Sequence, residues 1–226
     1  MQFNKTMLVL AIASGVSGTA LAGVSADEAK KLGTTLTAVG AEKGANKDGS
    51  IPAYTGGLTT APAGFKPGDV LRPDPYAGEK PLFSIDAKSA DKYADKLTEG
   101  TKALMKKNPD YRIDVYKTHR SVALPKFVEE NTAKCAVNAK TTNGGRSMEG
   151  CHAGFPFPIP KTGYEAMWNH LVRFEGLAFV AKYRNWNIDA SGRPSVSTEG
   201  TVTQEYPYWD TSKADSGVYF KQRINY

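Results

Sequence analysis

The sequence predicts an α+β fold: a curled antiparallel sheet with helices packed on one face. Three observations predict it. Residues 176–188 and 193–206 are long strand-like stretches joined by Asp189-Ala190-Ser191-Gly192, the pattern of a hairpin closed by turn-forming residues. Residues 87–107 and 163–174 carry apolar side chains at helical spacing. The order along the chain is a short helix, a proline-rich wrap, a long helix, short strands, a loop, a helix and a meander, which is the order of an α+β protein. With 226 residues, 40% hydrophobic and 23% charged, the balance is that of a globular chain with a sizeable core.

The N-terminus reads as a secretory signal peptide over residues 1–22. Lys5 is its positive region, Met7 to Ala13 its apolar run, and Ala20-Leu21-Ala22 a small-residue cleavage site. Ser14, Gly15, Ser17, Gly18 and Thr19 interrupt the run too early for the roughly 20 apolar residues of a membrane-spanning helix. No transmembrane segment is therefore expected in the mature chain. Export gives Cys135 and Cys151 a meaning: in an oxidising compartment the two cysteines are expected to pair, closing a glycine-rich loop at a gain of about 3 kcal/mol. A metal or catalytic site built on Cys151 and His152 would lack further clustered ligands.

Residues 23–86 follow as one region. Asp27 to Leu32 reads as a short helix with acidic residues in its first turn and Gly33 as its stop. Pro52, Pro62, Pro67, Pro73, Pro75 and Pro81 then exclude long helices and interior strands. This stretch reads as an extended wrap anchored by Ile51, Tyr54, Leu58, Phe65, Leu71, Tyr76, Leu82 and Phe83, with a flexible tail as the alternative.

Residues 87–226 hold the rest. Tyr93, Leu97, Thr101 and Leu104 predict one amphipathic helix over 87–107, ended by Asn108-Pro109. Tyr111 to Tyr116 alternates at period two and predicts a strand, and Arg120 to Leu124 a second strand or extended edge. Phe127 to Cys135 has a weak helical pattern. In Phe155-Pro156-Phe157-Pro158-Ile159-Pro160, three alternating prolines force an extended backbone that cannot be a central strand. A last strand over 217–226 runs to the final residue, so the chain is expected to be C-terminally truncated, with an unpaired edge and an exposed apolar face that would make it poorly soluble or dependent on a partner.

The chemistry of known catalytic motifs is missing: the sequence has no G-x-S-x-G elbow, phosphate-binding loop, H-E-x-x-H or dinucleotide fingerprint. No catalytic residue, metal site or cofactor is assigned. Twenty-nine Lys and Arg against 23 Asp and Glu give +6, but the basic residues are scattered, and no nucleic-acid partner follows. His119 reads as a polar edge residue and His152 as a solvated one. His170 shares a helix with Glu165, which suits either acid-base chemistry in a hydrolase or anchoring of that helix to the proline-rich segment. The aromatics Phe155, Phe157, Trp168, Phe174, Phe179 and Trp186 are the candidate binding residues. They suit the wall of an apolar site for a lipid or hydrophobic small molecule, or an ordinary core, and composition alone does not separate the two.

Several runs carry a family resemblance: Gly40-Ala41-Glu42-Lys43, Ile51-Pro52-Ala53-Tyr54-Thr55-Gly56-Gly57, Tyr116-Lys117-Thr118-His119-Arg120, residues 155–160, and Glu165-Ala166-Met167-Trp168-Asn169-His170. In order and spacing they resemble the exported bacterial family known as domain of unknown function 1329. The resemblance implies an outer-membrane lipoprotein-sorting type of protein with a half-barrel similar to the carriers LolA and LolB, here incomplete. It implies a periplasmic or outer-membrane-associated, non-enzymatic protein of a Gram-negative envelope that binds lipid, lipoprotein acyl chains or another hydrophobic molecule. Its partners would be an outer-membrane protein or a resistance-nodulation-division exporter. The other functions open to it are a hydrolase using His170 and Glu165, and an assembly factor docking through its edge strands.

Overall fold

The computed structural model describes residues 23–68 and 71–226; the export-signal reading of residues 1–22 lies outside the described residues. In chain order the elements are α1 (Ala26–Ala29), β1 (Phe83–Ile85), a 3-10 segment (Ala90–Lys96), α2 (Glu99–Lys107), β2 (Ile113–Val115), α3 (Lys126–Asn138), β3 (Lys140–Thr142), β4 (Ser147–Glu149), α4 (Gly163–Leu171), β5 (Ala178–Ile188), β6 (Pro194–Glu205) and β7 (Lys221–Asn225). The fold is mixed α+β, as the sequence predicts. Its strands form antiparallel sheets, β1-β2, β3-β4 and β5-β6-β7, and none of these closes into a barrel. The chain divides into two compact units, Lys31–Pro125 and the described part of residues 1–30 with Lys126–Tyr226.

The second of these units is organised around α3. Val128, Thr132, Cys135 and Ala136 recur at helical spacing and are the helix's buried residues. Cys135 is joined to Cys151 by a disulfide with 4.8 Å between the Cα atoms. The loop between them is a hairpin, β3 pairing β4 from Lys140↔Glu149 to Thr142↔Ser147, rather than the flexible loop its glycines suggest. Just beyond the disulfide the chain lies against α3 so closely that a Cβ on Gly154 would stand 2.6 Å from the Asn131 carbonyl carbon. Only glycine fits that approach.

Helix α4 starts where its capping residues dictate. The Thr162 hydroxyl accepts from Glu165 N–H at 3.2 Å, and the buried Glu165 carboxylate accepts from Lys161 N–H, a close variant of the capping box. The hairpin β5-β6 pairs eleven residues with one irregularity at Asn185/Trp186, where Ser197 is the extra residue of a bulge. Its turn is closed by Asp189, whose carboxylate accepts from Ser191 N–H at 2.8 Å and Arg193 N–H at 2.9 Å. Strand β7 extends the sheet over Lys221–Asn225, half of the predicted stretch.

The unit Lys31–Pro125 departs further from expectation. The predicted helix over 87–107 is broken: Leu97 is extended, Tyr93 has non-helical dihedrals, and α2 begins afresh after Thr98, whose hydroxyl accepts from Thr101 N–H at 3.1 Å. The N-cap preference of Thr98 overrides the longer apolar periodicity. The residue α2 buries is Met105, and Leu104 is exposed. The wrap is held by polar staples instead of apolar anchors. Ile51, Leu58, Phe65, Leu71, Leu82 and Phe83 are all exposed. The Arg120 guanidinium donates to the Glu42 carbonyl at 2.7 Å and lies over the Tyr54 ring, Tyr54 donates to the Val122 carbonyl at 2.9 Å, and Leu58 N–H donates to the Ser121 carbonyl at 2.9 Å. Residues 120–124 form no strand; their polar groups receive the wrap. His119 stacks on Tyr76 at 3.7 Å and pairs with Glu79 at 2.9 Å.

Candidate functional site

The six aromatics singled out in the sequence occupy different places. Phe155 and Phe174 pack edge-on against the fully buried Trp209, with ring centroids at 5.8 Å and 5.1 Å, and Phe127 meets Phe174 at 5.9 Å. Phe179 lies 6.3 Å from Tyr206. Phe157 is buried in the proline-rich segment, and Trp168 donates its indole N–H to the Gly145 carbonyl at 2.9 Å. Trp186 is half exposed beneath the Arg184 guanidinium. It stands seven positions along β5 from Phe179, about 23 Å away and on the opposite face. Phe155 and Phe174 therefore share a packed cluster, and Trp186 stands apart from it.

Tyrosines fasten that cluster. Tyr208 donates to the Gly154 carbonyl at 2.6 Å and lies 3.0 Å from Cys151 Sγ; Tyr219 donates to the Arg173 carbonyl at 2.7 Å; Tyr206 donates to the Glu175 carboxylate. Burial raises the pKa of all three hydroxyls above the ordinary tyrosine value, and at Tyr206 the Glu175 carboxylate adds to the effect. The Trp209 indole N–H is buried with no hydrogen-bond partner among the described residues.

Glu165 and His170 are not brought together as an acid-base pair. Glu165 is buried with its carboxylate on the Lys161 amide, whereas His170 is exposed. Five positions apart on a helix, they point about 140° away from each other. The anchoring role anticipated for His170 falls to its neighbour Asn169, whose amide bonds both the N–H and the carbonyl of Phe157. His152 is half buried, edge-on to Tyr208 at 5.9 Å. Among the described residues no cluster of three or more His, Cys, Asp or Glu could hold a metal ion, and no helix is long and apolar enough to cross a membrane.

The clearest binding geometry lies in the unit Lys31–Pro125, at a place the sequence reading did not mark. Strands β1 and β2 pair Phe83↔Val115, Ser84↔Asp114 and Ile85↔Ile113. Period-two alternation puts Phe83, Ile85, Ile113 and Val115 on one face. The other face is polar: Ser84 Oγ donates to Asp114 at 2.5 Å, which also pairs with Arg112 at 3.1 Å. Tyr93 stacks on Phe83 with centroids 5.2 Å apart, and Leu97 closes the same side. The result is a cavity of about 490 Å³ lined by these six residues together with Leu82, Tyr116, Lys96, Lys117, Thr118 and the Gly49-Ser50 turn. The volume is within the range of small-molecule sites. Two signals in the sequence point to it: the alternation of residues 111–116, and the Tyr93/Leu97 pair whose apolar side faces this ribbon and not a helix partner.

An α+β chain with an apolar cavity on a two-stranded ribbon is the class that the structure defines. The chain belongs to the family described as protein of unknown function (DUF1329), which matches residues 84–226. It is 50% identical over 157 residues to the uncharacterized protein PA3922 of Pseudomonas aeruginosa strain PAO1, a match covering 69% of this chain and 34% of that protein. The chain thus spans about a third of the length of the curated relative it matches. No solved structure matches it.

Proposed function

We propose that this protein is a non-enzymatic binding protein of the bacterial envelope that holds a hydrophobic molecule in the cavity on the β1-β2 ribbon. One observation carries the reading: Phe83, Ile85, Tyr93, Leu97, Ile113 and Val115 line one concave site of about 490 Å³. Filling it would remove apolar surface from water on both partners, worth ~25 cal/mol per Å² of apolar area. The envelope placement rests on the export-type N-terminal sequence and is supported by the Cys135–Cys151 disulfide. Handing the cargo to an outer-membrane protein or a resistance-nodulation-division exporter completes the reading. The non-enzymatic part is supported by Glu165, the one carboxylate suggested as a catalyst, whose carboxylate is held by a backbone amide.

The test is uptake of the environment-sensitive probe N-phenyl-naphthylamine by the full chain and by Leu97→Trp, which fills the cavity from its edge, where Leu97 is extended and only half buried. Probe fluorescence should rise with the parent protein and fall at least tenfold in apparent affinity with Leu97→Trp while the melting temperature holds. Equal uptake by a folded Leu97→Trp, or no uptake by the parent, overturns the proposal.

A further inference from the structure

The cavity is apolar in its wall but one-sided in its charge. Of its lining residues only Lys96 and Lys117 are ionisable side chains of full charge at neutral pH, and both are cations. Neither has an ion-pair partner within 4 Å among the described residues. The Lys96 charge acts weakly on the Asp48 carboxylate. That carboxylate is committed to the turn beside it: the Ser50 hydroxyl and amide donate to it at 2.6 Å and 2.9 Å, and these bonds, with a smaller contribution from Lys96, hold it below the ordinary aspartate range. The cavity therefore joins an aliphatic and aromatic trough to two exposed lysines, and Thr118 also lines it. That combination is complementary to a molecule with one apolar tail and one anionic head.

We infer that the cavity takes a free, single-chain fatty acid, its chain lying against Phe83, Ile85, Tyr93, Leu97, Ile113 and Val115 and its carboxylate held by Lys96 and Lys117. This rests on the cavity being the binding site. A single chain is favoured over a two-chain phospholipid because about 490 Å³ is toward the lower end of ligand-site volumes. The apolar trough sets the affinity: each added methylene should tighten binding about fourfold until the trough is full. The lysines set the choice of head. They are exposed, so each contributes modestly and in a salt-dependent way.

The experiment is calorimetric titration of the full chain with octanoate, decanoate and laurate, and with dodecanol as the neutral counterpart of laurate. It is repeated on the double substitution Lys96→Gln with Lys117→Gln. Both lysines are exposed, so the variant keeps its fold, which the melting temperature verifies. The expected result is rising affinity from octanoate to laurate, a loss of about tenfold for laurate in the double variant and at high salt, and no change for dodecanol. If laurate and dodecanol bind the parent equally and the double variant changes neither, the head-group inference is overturned while the cavity stands. If phosphatidylglycerol vesicles compete fully with laurate in the same trough, the single-chain assignment is overturned. If neither laurate nor dodecanol binds, the cavity reading itself falls, and this inference with it.

Discussion

Asn169 holds Phe157 by both of its backbone groups: its Oδ1 accepts from the Phe157 N–H at 3.0 Å and its Nδ2 donates to the Phe157 carbonyl at 2.6 Å. A side-chain amide thus takes the place of a neighbouring strand. The prolines at 156, 158 and 160 leave few donors in this segment, and side chains collect them: Thr132 takes the Phe155 amide at 3.0 Å, Asn169 takes Phe157, and Glu165 takes Lys161. Asn169→Ala would strand two polar groups beside a buried phenylalanine. The expected loss is about 2–4 kcal/mol in urea unfolding, with Asn169→Asp intermediate because it keeps the acceptor. A loss under about 0.5 kcal/mol would show that water replaces the amide freely.

The same helix separates the catalytic and structural readings of its two titratable residues. His170 is exposed, so His170→Ala should change unfolding free energy by less than about 0.5 kcal/mol. Glu165 is buried and caps the helix entry, so Glu165→Ala should cost about 1–3 kcal/mol. A panel of ester, phosphoester and peptide substrates should show no turnover by the parent; turnover abolished in His170→Ala would restore the hydrolase reading.

The disulfide ties the last turn of α3 to the residue that begins the descent into the proline-rich segment, and both its cysteines are buried. Replacing both by serine should cost about 3 kcal/mol. The reduced parent protein should unfold at the same denaturant concentration as the variant; coincidence of the oxidised and reduced transitions would remove the disulfide from the stability of this unit.

What the sequence made legible follows from local physics. The β5-β6 hairpin and α4 are specified by alternation and caps within a dozen residues and appear close to where expected; the proline segment forms no strand, as its missing donors require, but bends at Pro156, Pro158 and Ile159. The candidate site was less legible because its parts are distant in sequence: Phe83 and Ile85 lie at the end of a proline-rich stretch, and only pairing with Ile113 and Val115 turns them into a wall. Tyr93 and Leu97 looked like a helix stripe until Thr98 claimed the helix start. The aromatics of 155–186 drew attention through density, yet density cannot tell a core such as Phe155, Phe174 and Trp209 from a cavity. His170 and Asn169 are adjacent in the chain, and only the side on which the helix faces the prolines decides which one is the anchor.

Alkaline pH should loosen the aromatic cluster before it affects the outer sheet. An unfolded tyrosine ionises near pH 10, whereas burial holds the Tyr206, Tyr208 and Tyr219 hydroxyls protonated to higher pH, helped at Tyr206 by the Glu175 carboxylate. Below about pH 10 folded and unfolded chains carry the same tyrosine protons. Above it the unfolded chain releases protons that the folded chain keeps, so folding stability falls as pH rises through this window. The unfolding midpoint in urea should therefore drop from about pH 8 to about pH 11, and tyrosinate absorbance should show a late-titrating set released on unfolding. Tyr208→Phe loses its bond to the Gly154 carbonyl, at about 1 kcal/mol at neutral pH, but no longer has a hydroxyl to ionise. Its stability should therefore fall less steeply above pH 10 than that of the parent protein; parallel curves would place the alkaline sensitivity elsewhere.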